Sequence, residues 1–239
     1  MRQGVVGFTS KMKNAIREEI EKIYFSVGSV FKYKEWIDFL LNKGIKRFCI
    51  DMAHGDSKHC VDTIAYIRKF GKDIKIMAGN IATKEGFLRL CDAGVNSVRV
   101  GIGSGNACTT RGKEGFGVPM VSCLQDICQG TDIDVIADGG INTSGDIVKA
   151  LYCGARAVML GKMLAATDLS SDLFYNKKMS FIPKDKINFD DKNSIYYPEY
   201  KRYMGMASKD ARNGVLSEGS VEGVSGYIKY QGKTETWLK

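Results

Sequence analysis

Val98-Arg99-Val100-Gly101-Ile102-Gly103-Ser104-Gly105-Asn106-Ala107-Cys108-Thr109-Thr110 reads as a strand that runs out into a glycine-rich loop and ends on a cysteine. The residues from Ser97 to Val100 include β-branched valines directly before the glycines, as at a buried strand tip. Gly101, Gly103 and Gly105 permit backbone angles that other residues resist, so a ligand can approach the chain closely. A loop rich in exposed N–H groups favours a thiolate, the nucleophilic form of cysteine. Read alone, Cys108 is either that nucleophile or a small core hydrophobe.

Outward from this stretch the same unit recurs: a short apolar strand, a polar loop, a helix, a glycine turn. Strands are predicted at 24–30, 47–52, 74–78, 97–101, 133–137 and 155–160. Helices are predicted at 33–42, 58–70, 84–92, 120–129 and 146–152, and 11–23 has a helical stripe. Asp56 or Ser57, Thr83, and Thr143 or Ser144 are candidate helix caps. Strands alternating with helices argue parallel pairing through right-handed crossovers. Each chemically unusual segment follows a strand's carboxyl end, the active face of a (β/α)-barrel. A doubly wound sheet would gather its ligand loops at one switch point. The fold expected is therefore α/β, a TIM (β/α)8-type barrel with six of eight strands recognisable, and one partial barrel domain over 1–239. An excursion around 165–222 leaves the repeat. Its stretch 169–203 is polar and poor in aliphatics, which predicts a functional lid or disorder. Residues 221–230 look strand-like.

The chain has 239 residues, 44% of them hydrophobic, enough for one full core. No apolar run approaches the roughly 20 residues of a membrane span, and no signal peptide is visible, so no membrane partner is expected. The formal net charge is +8, but the basic residues form no stripe interleaved with aromatics, which argues against nucleic acid. Seven cysteines lack zinc spacing and form no CxxC pair, so a reducing cytoplasm is expected.

Asp138-Gly139-Gly140 and Gly161-Lys162 follow the last two strands, where barrels bind phosphate on backbone N–H groups. The same glycines also suit tight turns. Asp138 either holds a ribose hydroxyl or caps its loop, and Asp51 is placed in the same way. Asn80 binds a ligand amide or finishes a turn. Glu222 alone is an ordinary surface acid.

Six ordered motifs together resemble the IMP dehydrogenase/GMP reductase family. They are Ile50 to Ser57 (IDMAHGDS), Met77 to Asn80 (MAGN), Gly101 to Arg111 (GIGSGNACTTR), Ile136 to Ile141 (IADGGI), Val158 to Gly161 (VMLG) and Gly205 to Ser208 (GMAS). The branch resembled is GMP reductase. The Arg-Tyr pair that IMP dehydrogenases use to activate water is absent between Ser208 and Glu222, and Glu222 stands at a glutamine position. Asn213-Gly214-Val215 aligns with the Gly-Gly-Val of GMP reductases. IMP dehydrogenase is the alternative, as is a truncated relative that binds purine nucleotide without turnover.

The resemblance implies NADPH-dependent conversion of GMP to IMP and ammonia. Cys108 would add to the purine, with Thr110 and Glu222 moving protons. Asn106, Asp138, Gly139, Gly140, Gly161, Lys162 and Tyr203 would hold the nucleotide, with Gly205, Met206 and Ala207 at its base. Asp51, Met52, Ala53, Asn80, Ile102 and Gly103 would face the cofactor. Carbonyls of Gly103, Gly105 and Cys108 would coordinate potassium, with Arg111 nearby. Relatives are tetramers, so a homo-oligomer is implied, or a partner chain that completes the barrel. Against the family pattern the first strands and the last helix are missing, which predicts a shortened chain. Asn106, Lys162 and Gly219 also depart from it.

Overall fold

A computed structural model describes residues 22–170, 173–204 and 225–237. Six strands form one parallel sheet in chain order: β1 (Phe25–Val27), β2 (Arg47–Asp51), β3 (Lys75–Ile81), β4 (Ser97–Val100), β5 (Asp134–Asp138) and β6 (Ala157–Met159). Between them run α1 (Val30–Asn42), α2 (Lys58–Arg68), α3 (Lys84–Asp92), the one-turn α4 (Thr110–Lys113), α5 (Met120–Ile127) and α6 (Ser144–Tyr152). This is the alternating pattern of an incomplete TIM barrel.

The period-2 alternation of the strands separates two faces. Phe48, Ile50, Ile76, Ala78, Val98, Val100, Val135 and Ala137 belong to one apolar core with Ile37, Ile64, Ile67, Leu90 and Leu124 of the helices. The intervening positions lie on the other face. There Cys49 and Asp51, Met77 and Gly79, Ser97 and Arg99, and Ile136 and Asp138 become more polar toward the carboxyl ends.

Three of the helices start where side chains satisfy their first N–H groups. Ser57 Oγ accepts from Cys60 N, Thr83 Oγ1 accepts from Gly86 N, and Thr143 with Asp146 closes a capping box on α6. Three boundaries differ from the sequence reading. The first strand stops at Val27 and α1 begins at Val30, because the Ser29 carbonyl already accepts from Lys32 and Tyr33. β3 continues through Asn80 to Ile81, held by Met52 N to the Gly79 carbonyl and Asn80 N to the Met52 carbonyl, both 2.9 Å. Asn80 thus belongs to a strand and does not finish a turn.

The segment 169–203 adds short strands that its composition did not predict. Its described part is strand toward both ends, and the irregular run 183–199 between them carries only a 3-10 turn at Lys184–Lys186. After the short α7 (Lys162–Ala165) come β7 (Phe174–Tyr175), β8 (Phe181–Ile182) and β9 (Tyr200–Met204), joined by β10 (Ser225–Lys229) in an antiparallel sheet ordered β10-β9-β7-β8. Aromatic rings supply the packing that aliphatics do not. Phe174 is buried, with Phe189 and Tyr230 at 5.6 and 5.8 Å edge-on, and Tyr175 meets Tyr227 at 4.9 Å. The chain then returns to the end of α7. Gln231 N donates to the Ala166 carbonyl, Thr167 bridges Gly232, and the final turn α8 (Thr234–Trp237) follows. No helix among the described residues is long and apolar enough to cross a membrane.

Candidate active site

The carboxyl ends of β2 to β5 converge on one buried cation. Arg99 sits on β4 at an inner-face position and is 8% exposed. Its Nη1 donates to Asp51 Oδ1 at 2.9 Å and to Cys49 Sγ at 3.3 Å. Its Nη2 and Nε donate to Asp138 Oδ2 at 2.7 and 3.2 Å. Asn80 Nδ2 reaches the same Asp138 oxygen at 2.9 Å and the Gly101 carbonyl at 2.8 Å. Burial works against the Arg99 charge, and the carboxylates of Asp51 and Asp138 outweigh it, so the guanidinium is held above its ordinary range. Burial pushes the Cys49 thiol up despite the adjacent cation.

Above this network lies the glycine loop. Gly101 has φ +136, and a Cβ there would stand 2.1 Å from the Asp138 carbonyl oxygen. Gly139 has φ +102, and a Cβ would stand 2.6 Å from Ser104 Oγ. Both positions therefore require glycine for the two loops to touch. Ser104 Oγ donates to the Asp138 carbonyl at 3.2 Å, and Asn106 Nδ2 donates to Asn142 Oδ1 at 2.6 Å. Asn142 in turn donates to the Gly140 carbonyl at 3.1 Å. Asn106 is thereby joined to the Asp138-Gly139-Gly140 loop.

Cys108 is exposed at the end of this loop, while Cys49, Cys60 and Cys123 are buried and Cys91, Cys128 and Cys153 are half-buried. A turn from Cys108 N to the Gly105 carbonyl, 3.0 Å, presents the thiol. Its Sγ donates to Thr110 Oγ1 at 3.0 Å, and Thr110 is buried at the start of α4. The core-hydrophobe reading of Cys108 is thus set aside. Arg111 packs its aliphatic stem against Gly103 and Gly117, within 2.8 and 2.6 Å of where their Cβ atoms would be.

At the end of β6, Gly161 precedes α7, whose first residue Lys162 is exposed. A Cβ on Gly161 would lie 3.4 Å from Tyr203 Oη, so β9 brings Tyr203 to this loop. Burial first, and then the negative charge of Asp138, push the Tyr203 phenol up. Met52 pairs with β3 through its backbone, Ile102 and Gly103 are half-buried, and Ala53 is exposed. Glu222, Gly205, Met206 and Ala207 lie outside the described residues.

Sequence reading passed over Arg99. The signal was available: an arginine between two valines on a predicted buried strand must be paired or functional.

A family model described as "IMP dehydrogenase / GMP reductase domain" matches residues 9–182. The chain belongs to the IMP dehydrogenase/GMP reductase family. Five of the six motifs that carry the resemblance lie inside that match, and Gly205 to Ser208 lies beyond it. Among curated relatives, inosine-5'-monophosphate dehydrogenase of Aquifex aeolicus is 35% identical over 93% of this chain and 45% of its own length. That of Nitrosopumilus maritimus is 36% identical over 90% of this chain and 44% of its own. That of Escherichia coli K12 is 35% identical over 92% and 45%. The chain spans about half the length of the curated relatives it matches. These family members carry the dehydrogenase name, so they do not single out the reductase branch expected from the sequence.

Proposed function

We propose that this chain performs Cys108-centred oxidoreductase chemistry at C2 of a purine mononucleotide, IMP or GMP. The observation that carries the reading is the exposed Cys108 thiol bonded to buried Thr110, on a loop seated over Asp138. Thr110 relays the thiol proton onward to Glu222, and the thiolate forms an S–C2 bond. Asp138, Gly139 and Gly140 hold the ribose and phosphate side, with Gly161, Lys162 and Tyr203. Asp138 Oδ2 takes the protein's bonds, and its other oxygen accepts none from a described residue, which leaves it for a ribose hydroxyl.

A nicotinamide dinucleotide fits the other side of the mouth. Asn80 Oδ1 is a buried acceptor with no partner among the described residues, and one Asp51 oxygen accepts no bond from a described residue. Asp51, Met52, Ala53, Asn80, Ile102 and Gly103 would hold it, and it exchanges a hydride with C2 when bound. Potassium on the carbonyls of Gly103, Gly105 and Cys108, beside Arg111, suits a hard cation. The Gly105 carbonyl already accepts Cys108 N and keeps its second lone pair. The seven unpaired cysteines agree with a reducing cytoplasm as the compartment. A tetramer, or a partner chain completing the barrel, is the assembly we propose.

Two directions are open to this site. The relatives' names favour IMP dehydrogenase, in which water opens the S–C2 bond and XMP leaves. The sequence from 208 to 222, without an Arg-Tyr pair to activate water, favours GMP reductase. There the 2-amino group leaves as ammonia, with Glu222 and Thr110 moving protons, and the S–C2 bond breaks as IMP forms. With potassium present, IMP-dependent reduction of NAD selects the dehydrogenase, and GMP-dependent oxidation of NADPH selects the reductase. A protein that binds either nucleotide and turns over neither is the non-catalytic relative. One that binds neither overturns the reading.

A further inference from the structure

We infer that Arg99 is a positioning residue that sets both half-sites at once. It holds the carboxylate proposed for the mononucleotide ribose and the one proposed for the dinucleotide, and so rests on the reading above. The geometry has three parts. First, the guanidinium is a planar fork spanning β2, β4 and β5. Nη1 goes to Asp51, and Nη2 with Nε to Asp138. Only arginine offers donors in this arrangement; a lysine ammonium is a point charge that lacks the fork. Second, the fork takes one oxygen from each carboxylate, Asp51 Oδ1 and Asp138 Oδ2, and the remaining oxygens accept no bond from a described residue. Arg99 thus fixes each rotamer while leaving a lone-pair face for a ligand hydroxyl. Third, Asn80 joins the same Asp138 oxygen and leaves its own Oδ1 buried without a described partner. The chain Asp51–Arg99–Asp138–Asn80 is therefore a continuous charge-assisted network running under both ligands.

Two carboxylates against one guanidinium leave one negative charge in a largely buried cluster. Without Arg99 both side chains would turn toward solvent or toward other partners, and both ligands would lose a pre-set acceptor. A residue serving one ligand, or only the core, would not behave in this way.

The test uses the Cys108→Ala chain, in which turnover cannot occur, and titrates mononucleotide (IMP, GMP) and dinucleotide (NAD, NADPH) separately by calorimetry. Adding Arg99→Lys should weaken both ligands by roughly tenfold or more, the scale of a lost charge-assisted bond, with an unchanged circular dichroism spectrum. Asp51→Asn should weaken mainly the dinucleotide, and Asp138→Asn mainly the mononucleotide, with a smaller loss for the dinucleotide through Asn80. In the Asp51→Asn background, Arg99→Lys should cost the dinucleotide little more while still costing the mononucleotide. If Arg99→Lys leaves either ligand at its starting affinity, the inference is overturned. It is also overturned if both aspartate variants weaken both ligands alike, which needs no Arg99 variant that folds. If the Cys108→Ala chain binds neither class of ligand, the functional reading falls first and takes the inference with it.

Discussion

At the residue scale, the site turns on which polar side chains the fold leaves in water. Cys108 is exposed and leans on a threonine hydroxyl, whereas burial pushes the Cys60 thiol up to about 12 and the Cys123 thiol up to about 11. Alkylation at pH 8, read by mass spectrometry of peptides, should therefore mark Cys108 about tenfold faster than any other cysteine. Bound GMP or IMP should slow it. Equal labelling of Cys91, Cys128 and Cys153 would undo the claim. The place of Cys108 on an exposed loop and of Asp138 at a strand end was legible in the sequence because glycines and strand ends mark them, whereas Thr110 was singled out only by the family resemblance. Arg99 was harder to see. Its role depends on Asp51 and Asp138 arriving from strands 48 and 39 positions away, and nothing local fixes that pairing.

At the element scale, β9 links the second sheet to the site. Lys201 is fully buried on it and donates to the Thr167 carbonyl and to Ser170 Oγ, with its ammonium 4.4 Å from the Phe174 ring centroid. Tyr203 lies two residues further along the same strand, on the same face, beside Gly161. Lys201→Met keeps the stem on Phe174 but removes a buried ammonium and its bonds to the Thr167 carbonyl and Ser170 Oγ, which keep only the bonds Ser170 Oγ makes to the Thr167 and Ala165 carbonyls. It should cost about 2–4 kcal/mol in urea denaturation and raise the KM for mononucleotide through Tyr203. A stability change below about 0.5 kcal/mol would show that Lys201 pins nothing. The six parallel strands were readable because each is a short apolar run followed by a helix. The strands from 174 to 204 were not readable. Two of them are two residues long, too short for a period, and their burial rests on aromatic rings and a lysine stem that composition counts as polar surface.

At the scale of the whole molecule, the two sheets are tied where the chain comes back to α7. Asp168 Oδ1 accepts from Thr234 N at 2.8 Å and from Thr234 Oγ1 at 2.9 Å, beside the Thr167–Gly232 bridge. Burial opposes the Asp168 charge, and the bonds from Thr234 outweigh it, holding the carboxyl below its ordinary value. A carboxylate lowered in the folded state adds stability that is fully present above its unfolded pKa of about 3.9 and is lost as pH falls through the folded value. Asp168→Asn should therefore be less stable than the parent at pH 7 by about 1 kcal/mol, the scale of one hydrogen bond to a charged group near the surface. The gap should narrow below about pH 4, because protonation removes from the parent what the substitution has already removed. Urea denaturation at pH 7, 5 and 3 reads it directly, and amide exchange of 230–237 should quicken in the variant at neutral pH. A gap that stays constant down to pH 3 would mean the contact works through shape, with no part played by its charge.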